Sequence, residues 1–115
     1  MSGLPTDPKA RKAIPLANGA LWYFPDAWAA VAALSKAGND QHNPGQPLHW
    51  SRGKSADHAD ALLRHLLDAG TVDTDGHRHS AKVAWRALAL LQEELEREEG
   101  CPLPRNCRRP DNDQG

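Results

Sequence analysis

Six histidines, His42, His49, His58, His65, His77 and His79, fall within one stretch of a 115-residue chain, and the same stretch carries Asp57, Asp60, Asp73 and Asp75. Imidazole can bind a metal or move a proton near neutral pH, and carboxylates hold hard divalent cations such as Mg²⁺ or Mn²⁺. Arg64 lies among them, Lys82 and Arg86 follow just after, and all three can neutralise phosphate oxygens. Acids, a metal and cationic clamps are the parts that phosphoryl transfer needs. Each group also has a plainer reading. Asp57 and Asp60 could decorate a solvated helix face, and Asp73 and Asp75 could bond their own backbone in a turn. His65 could be a core-edge histidine, His79 a structural one, and the cations could pair with Asp68 or Asp75 and do nothing more.

These side chains need elements to hold them. The pattern predicts an all-α fold, a small bundle of about three main helices. Residues 1–20 form an irregular arm with Gly3, Pro5, Pro8 and Pro15, residues 21–99 the helical domain, and residues 100–115 a basic and polar tail that ends in a disordered PDNDQG. Pro25 suits the first position of a helix that Gly38 should end. A polar loop follows over 39–54, with Asn39, His42, Asn43 and Trp50 placed to meet a ligand, or simply bonded to one another with Trp50 plugging the core. Ser55 can cap a second helix, Ala56 to Ala69, whose Ala59, Leu62, Leu63, Leu66 and Leu67 make an apolar stripe with His58 and His65 on one edge. After the turn TVDTDGHRH, a third helix from about Ser80 to Glu99 has a stripe wider than one partner requires. The two helices should pack antiparallel and bring the residues nearest the turn together.

Composition narrows the rest. The chain has 25 large apolar residues and 18 alanines, enough for a thin core completed by self-association. A net charge of −1 gives no long-range attraction to nucleic acid. No stretch approaches the roughly 18 to 20 apolar residues needed to span a bilayer, and no signal peptide is visible, so a cytoplasmic protein is expected. Cys101 and Cys107 lack a second pair for zinc and read as free thiols. The G-x-x-x-x-G-K-S/T, H-E-x-x-H and C-x-x-C signatures and a His-Asp dipeptide are all missing.

The run ARKAIPLANGALWYFPDAWAAVAALSKAGNDQHNPGQPLHW, then LLRHL, then DTDGHRHSAKVAWRALALL, resembles small phage-encoded proteins of the dATP/dGTP diphosphohydrolase N-terminal domain family. The likeness covers about residues 10–98, and its most specific pieces are Arg64-His65, His79 and the segment Ala84 to Leu88. It implies an all-helical nucleotide pyrophosphohydrolase, akin to the MazG-like enzymes, that cleaves a deoxynucleoside triphosphate between its α and β phosphorus atoms. Such enzymes hold metal with acidic helical pairs, and Asp57-x-x-Asp60 and His79-x-x-Lys82 stand in comparable places here. Relatives tend to carry a second histidine where this chain has Lys82.

The resulting expectation is a homo-oligomeric nucleoside triphosphate pyrophosphohydrolase. Asp57, Asp60, Asp73 and Asp75 would hold Mg²⁺ or Mn²⁺. His65 or His79 would position or deprotonate water, and Arg64, Lys82 and Arg86 would clamp phosphates. Asn39, His42, Asn43 and Trp50 would face the base. A nucleotide-sequestering protein without turnover and a helical scaffold are the alternatives.

Overall fold

The computed structural model describes residues 4–108. The proposed disorder of 110–115 therefore lies outside the described residues. The arm holds two short helices, α1 (Pro8–Lys12) and α2 (Leu16–Gly19), and a 3₁₀ turn at Leu21–Tyr23. The side chain of Asp7 caps α1 by accepting from the Ala10 amide at 2.9 Å, with Pro8 in the first turn.

Three longer helices follow: α3 (Pro25–His42), α4 (His58–Leu67) and α5 (His79–Glu99). Between α3 and α4 lies β1 (Trp50–Ser51), which pairs in parallel with β2 (Cys107–Arg108) in the register Trp50 to Cys107 and Ser51 to Arg108. This all-α bundle matches the expected class. The long helix α5 is its axis, packed against both α4 and α3. Gly100, at φ 72°, ends α5 in the left-handed conformation that glycine adopts without strain.

Two boundaries differ from expectation. Gly38 does not stop α3, which runs on to His42 and so carries Asn39 and His42 on a helix rather than in a loop. Glycine ends a helix only where the backbone turns left-handed, and here a Lys36–Asp40 ion pair at 2.8 Å spans Gly38 one turn apart. Helix α4 starts at His58, with Asp57 rather than Ser55 at the cap position.

The face that α4 turns inward also differs. Ala61 and His58 are buried and His65 half-buried, at i, i+3 and i+7, whereas Leu63, Leu66 and Leu67 point outward, Leu67 with 87% of its surface exposed. Small Ala61 allows close approach to α5, and the polar residues beside it find partners there. Among the described residues the buried apolar side chains are Val31, Ala61, Ala81 and Ala89, a core with no large side chain fully enclosed. Within the described residues, no helix is long and apolar enough to cross a membrane.

Candidate functional site

The link from α4 to α5 is a tight polar hairpin. Val72 and Arg78 form an antiparallel bridge, the Asp73 amide donates to the His77 carbonyl at 2.8 Å, and Gly76 adopts φ 86° at the bend. Asp73 and Asp75 build this turn with one oxygen each. Asp73 Oδ1 accepts from the Thr74 amide at 2.7 Å and Asp75 Oδ1 from the His77 amide at 3.0 Å. Their second oxygens face Lys82, whose Nζ lies 2.7 Å from Asp73 Oδ2 and 2.7 Å from Asp75 Oδ2. The turn-forming reading of these acids therefore holds, and their remaining oxygens are engaged by Lys82. The hydrogen bonds from Lys82 and Thr74 hold the Asp73 carboxyl down at about 2.

Above this pair the last turn of α4 meets the first residue of α5. His65 Nδ1 and His79 Nδ1 are 2.9 Å apart, and His79 Nδ1 is 3.8 Å from Asp73 Oδ2. His65, Asp73 and His79 each offer a ligand atom, all within 4.8 Å of one another. Burial, with the charge of Lys82, pushes the protonation of His65 below the usual imidazole range, which favours the neutral ring.

This cluster borders a cleft of about 460 Å³, within the size range of small-molecule sites. His65, Asp75, Lys82 and Arg86 line one side, and Asn39, His42, Asn43 and Trp50 the other. Eight of the thirteen sequence-predicted residues thus share one wall system. Asn39 and Asn43 are buried and hold the loop: Asn39 Nδ2 donates to the Gln46 carbonyl at 3.1 Å and Asn43 Nδ2 to Ser51 Oγ at 3.3 Å. Arg52 covers one face of Trp50 at 3.7 Å, and Trp85 meets Trp50 edge-on.

The four aspartates do not converge. Asp57 sits at the far end of α4, bound to Arg64 at 3.1 Å and 3.8 Å from Arg86. Asp60 is exposed and lies outside the three-donor group. Five residues before His65 on a helix, it points about 140° away. Arg64 is likewise spent on Asp57 and does not line the cleft. A hard, oxygen-only Mg²⁺ site built from Asp57, Asp60, Asp73 and Asp75 therefore does not fit this arrangement, and the donors that do meet are two nitrogens and one oxygen.

Sequence reasoning missed the role of His58. It is buried to 3% exposure, its Nδ1 accepts from Arg86 Nη1 at 3.0 Å, and its Nε2 lies 3.3 Å from Glu93 Oε1. Guanidinium can only donate, so Nδ1 is unprotonated and Nε2–H donates to Glu93. Arg86 Nη1 also donates to Ser55 Oγ at 2.6 Å, which fixes the guanidinium at the cleft edge. The nearest signal for this corner was the Ala-Trp-x-Ala-Leu segment, which contains Trp85 and Arg86.

Fold and site together define an all-helical protein with a mixed aromatic and cationic cleft that opens onto a histidine-aspartate cluster. The chain belongs to the dATP/dGTP diphosphohydrolase N-terminal family, whose profile matches residues 6–101. No curated protein and no solved structure matches it.

Proposed function

We propose that this protein is a divalent-metal-dependent (deoxy)nucleoside triphosphate pyrophosphohydrolase. The family name supports a nucleotide substrate, and the observation that carries the reading is the cleft: cations and imidazole line one wall, Trp50 and the α3 amides the other. Lys82 and Arg86 would neutralise the polyphosphate. Trp50, Trp85 and His42 would border the base. His65 and His79 would position the attacking water at the α-phosphate, beside Asp73. Among the described residues these three form the group able to hold a divalent cation, which would supply positive charge to the phosphate and make a water more acidic. The products would be a nucleoside monophosphate and pyrophosphate.

Incubation with each dNTP and Mn²⁺ or Mg²⁺ tests this. Pyrophosphate release that is lost in His79→Ala is expected, and no turnover of any nucleotide would overturn the reading.

One observation favours a second reading, nucleotide binding without turnover: Lys82 already occupies both Asp73 and Asp75. Nucleotide recovered intact from a chelator-insensitive complex would select it. The outward Leu63, Leu66 and Leu67 further support a homo-oligomer, which sedimentation would show as a mass above 12.6 kDa.

A further inference from the structure

We propose that His65, Asp73 and His79 bind a divalent transition-metal ion, of the Mn²⁺, Co²⁺ or Zn²⁺ class, in preference to Mg²⁺. This narrows the cofactor of the hydrolytic reading. It rests on that reading for the ion's use but not for its binding.

Spacing is the first argument. Ligand atoms about 2.1 Å from one ion, at angles between octahedral and tetrahedral, lie roughly 3.0–3.4 Å apart. The two Nδ1 atoms are 2.9 Å apart, and Asp73 Oδ2 is 3.8 Å from the nearer of them, so small shifts bring all three onto one centre. A single N–H···N hydrogen bond between the rings would account for the first distance. Asp73, anchored by Lys82 and the Thr74 amide, adds a third ligand atom within 4.8 Å of both rings and, at 3.8 Å from His79 Nδ1, makes no hydrogen bond to it.

Donor chemistry is the second argument. Imidazole nitrogens suit borderline transition metals, whereas Mg²⁺ prefers six oxygens and keeps its waters. Two imidazoles and one carboxylate also leave coordination positions open toward the cleft that His65 lines.

Lys82 sets the strength of the site. Its ammonium contacts Asp73 Oδ2, but a carboxylate oxygen has two lone pairs, and Asp75 Oδ2 at 2.7 Å is a second holder for the ammonium. Asp73 can therefore accept an ion while Lys82 leans on Asp75. The repulsion between ammonium and ion lowers affinity, so Lys82→Met should bind the metal more tightly.

The test is a Co²⁺ titration of the full chain. Saturable visible d–d bands are expected, displaced by Zn²⁺ and resistant to a large excess of Mg²⁺. His65→Gln and His79→Gln should each weaken binding by more than about 100-fold, beyond the loss typical of an outer-shell partner. Should either variant fail to fold, imidazole nitrogen resonances of the wild-type protein serve instead. Zn²⁺ should shift Nδ1 of His65 and His79 and leave His49 unmoved. Absence of bands in the wild-type protein, displacement by equimolar Mg²⁺, or Nδ1 signals that stay put would each overturn the proposal. Pyrophosphate release with Mg²⁺ and no Co²⁺ bands would sink this inference alone, and bands without turnover would sink the hydrolytic reading alone.

Discussion

Helix α5 carries a charged cluster at each end, and the two are built on opposite plans. Near its C-terminus, Arg52 forks onto Glu96, with Nη1 to Oε1 at 2.9 Å and Nη2 to Oε2 at 2.6 Å, while its plane lies on Trp50. Gln92 donates to the same Glu96 Oε2 at 2.9 Å. Donor meets acceptor at nearly every position, and only the Arg52 Nε is buried without a hydrogen-bond partner among the described residues. At the N-terminus, by contrast, two imidazoles and a carboxylate bring one ligand atom each within 4.8 Å of the others, and a lysine divides itself between two acids. A matched fork spends its facing atoms on one another and fixes the chain. A convergent set of ligand atoms beside a cleft leaves lone pairs that a ligand could use. The lesson is that pairing pattern, more than density of charge, separates a brace from a site.

Substitutions at the two ends should therefore have different signatures. The largest effect is expected for His79→Ala, which should lower pyrophosphate release by at least about 10³-fold, roughly 4 kcal/mol of barrier, with little change in urea midpoint. Equal losses of rate and stability would erase the contrast. Next, Arg52→Ala should cost about 3 kcal/mol of folding stability in urea melts, because Arg52 and Glu96 expose only 10% and 13% of their side chains and the carboxylate would be left buried. Turnover per folded molecule should survive it. Third, Lys82→Met should raise KM for nucleotide about tenfold, the scale of one charge-assisted contact, and do less to kcat.

A smaller, pH-dependent difference sharpens the brace. Burial pushes the Glu96 carboxyl up, but the hydrogen bonds from Arg52 and Gln92 and the Arg52 charge outweigh it and leave it below its ordinary 4.5. A depressed carboxylate contributes stability that is present above 4.5 and lost as pH falls through the still lower folded value. The stability gap between wild-type and Arg52→Ala should thus be constant above pH 5 and close on acidification below about 4.5. The smallest effect is expected for Asp60→Asn, within about 0.5 kcal/mol in stability and without loss of turnover, because that exposed side chain faces away from both clusters.

Much of this frame was legible in the residues. The third helix was readable to within one residue at its start, because a Gly-containing polar turn precedes it and Gly100 closes it. His65, His79, Asp73, Asp75 and Lys82 could be gathered because a short link between two packed helices leaves the residues beside it no other place to go. Helix α4 was harder. Its apolar period marks the leucines, yet period alone does not say which face meets a neighbour within the chain, and here the His58–Ala61–His65 edge does. Asp57 and Asp60 were misplaced with the other acids because they sit at the start of α4, the end remote from the turn. The Arg52–Glu96 fork, 44 residues apart in sequence, left no local trace at all.

The closeness of the cluster in sequence has a consequence for how the molecule is assembled. From His65 to Lys82 every member lies within one helix end, the short link over 68–78 and one helix start, so joining them closes only a short loop and costs little chain entropy. The opposite wall, from Asn39 to Trp50, must be brought in over a much longer loop, with β2 closing behind it. Contacts of short span form fastest in a folding chain. The three-donor corner can accordingly take shape with the α4–α5 hairpin, ahead of the wall that completes the cleft, and an ion captured there would steady the hairpin while the rest of the chain finds its place.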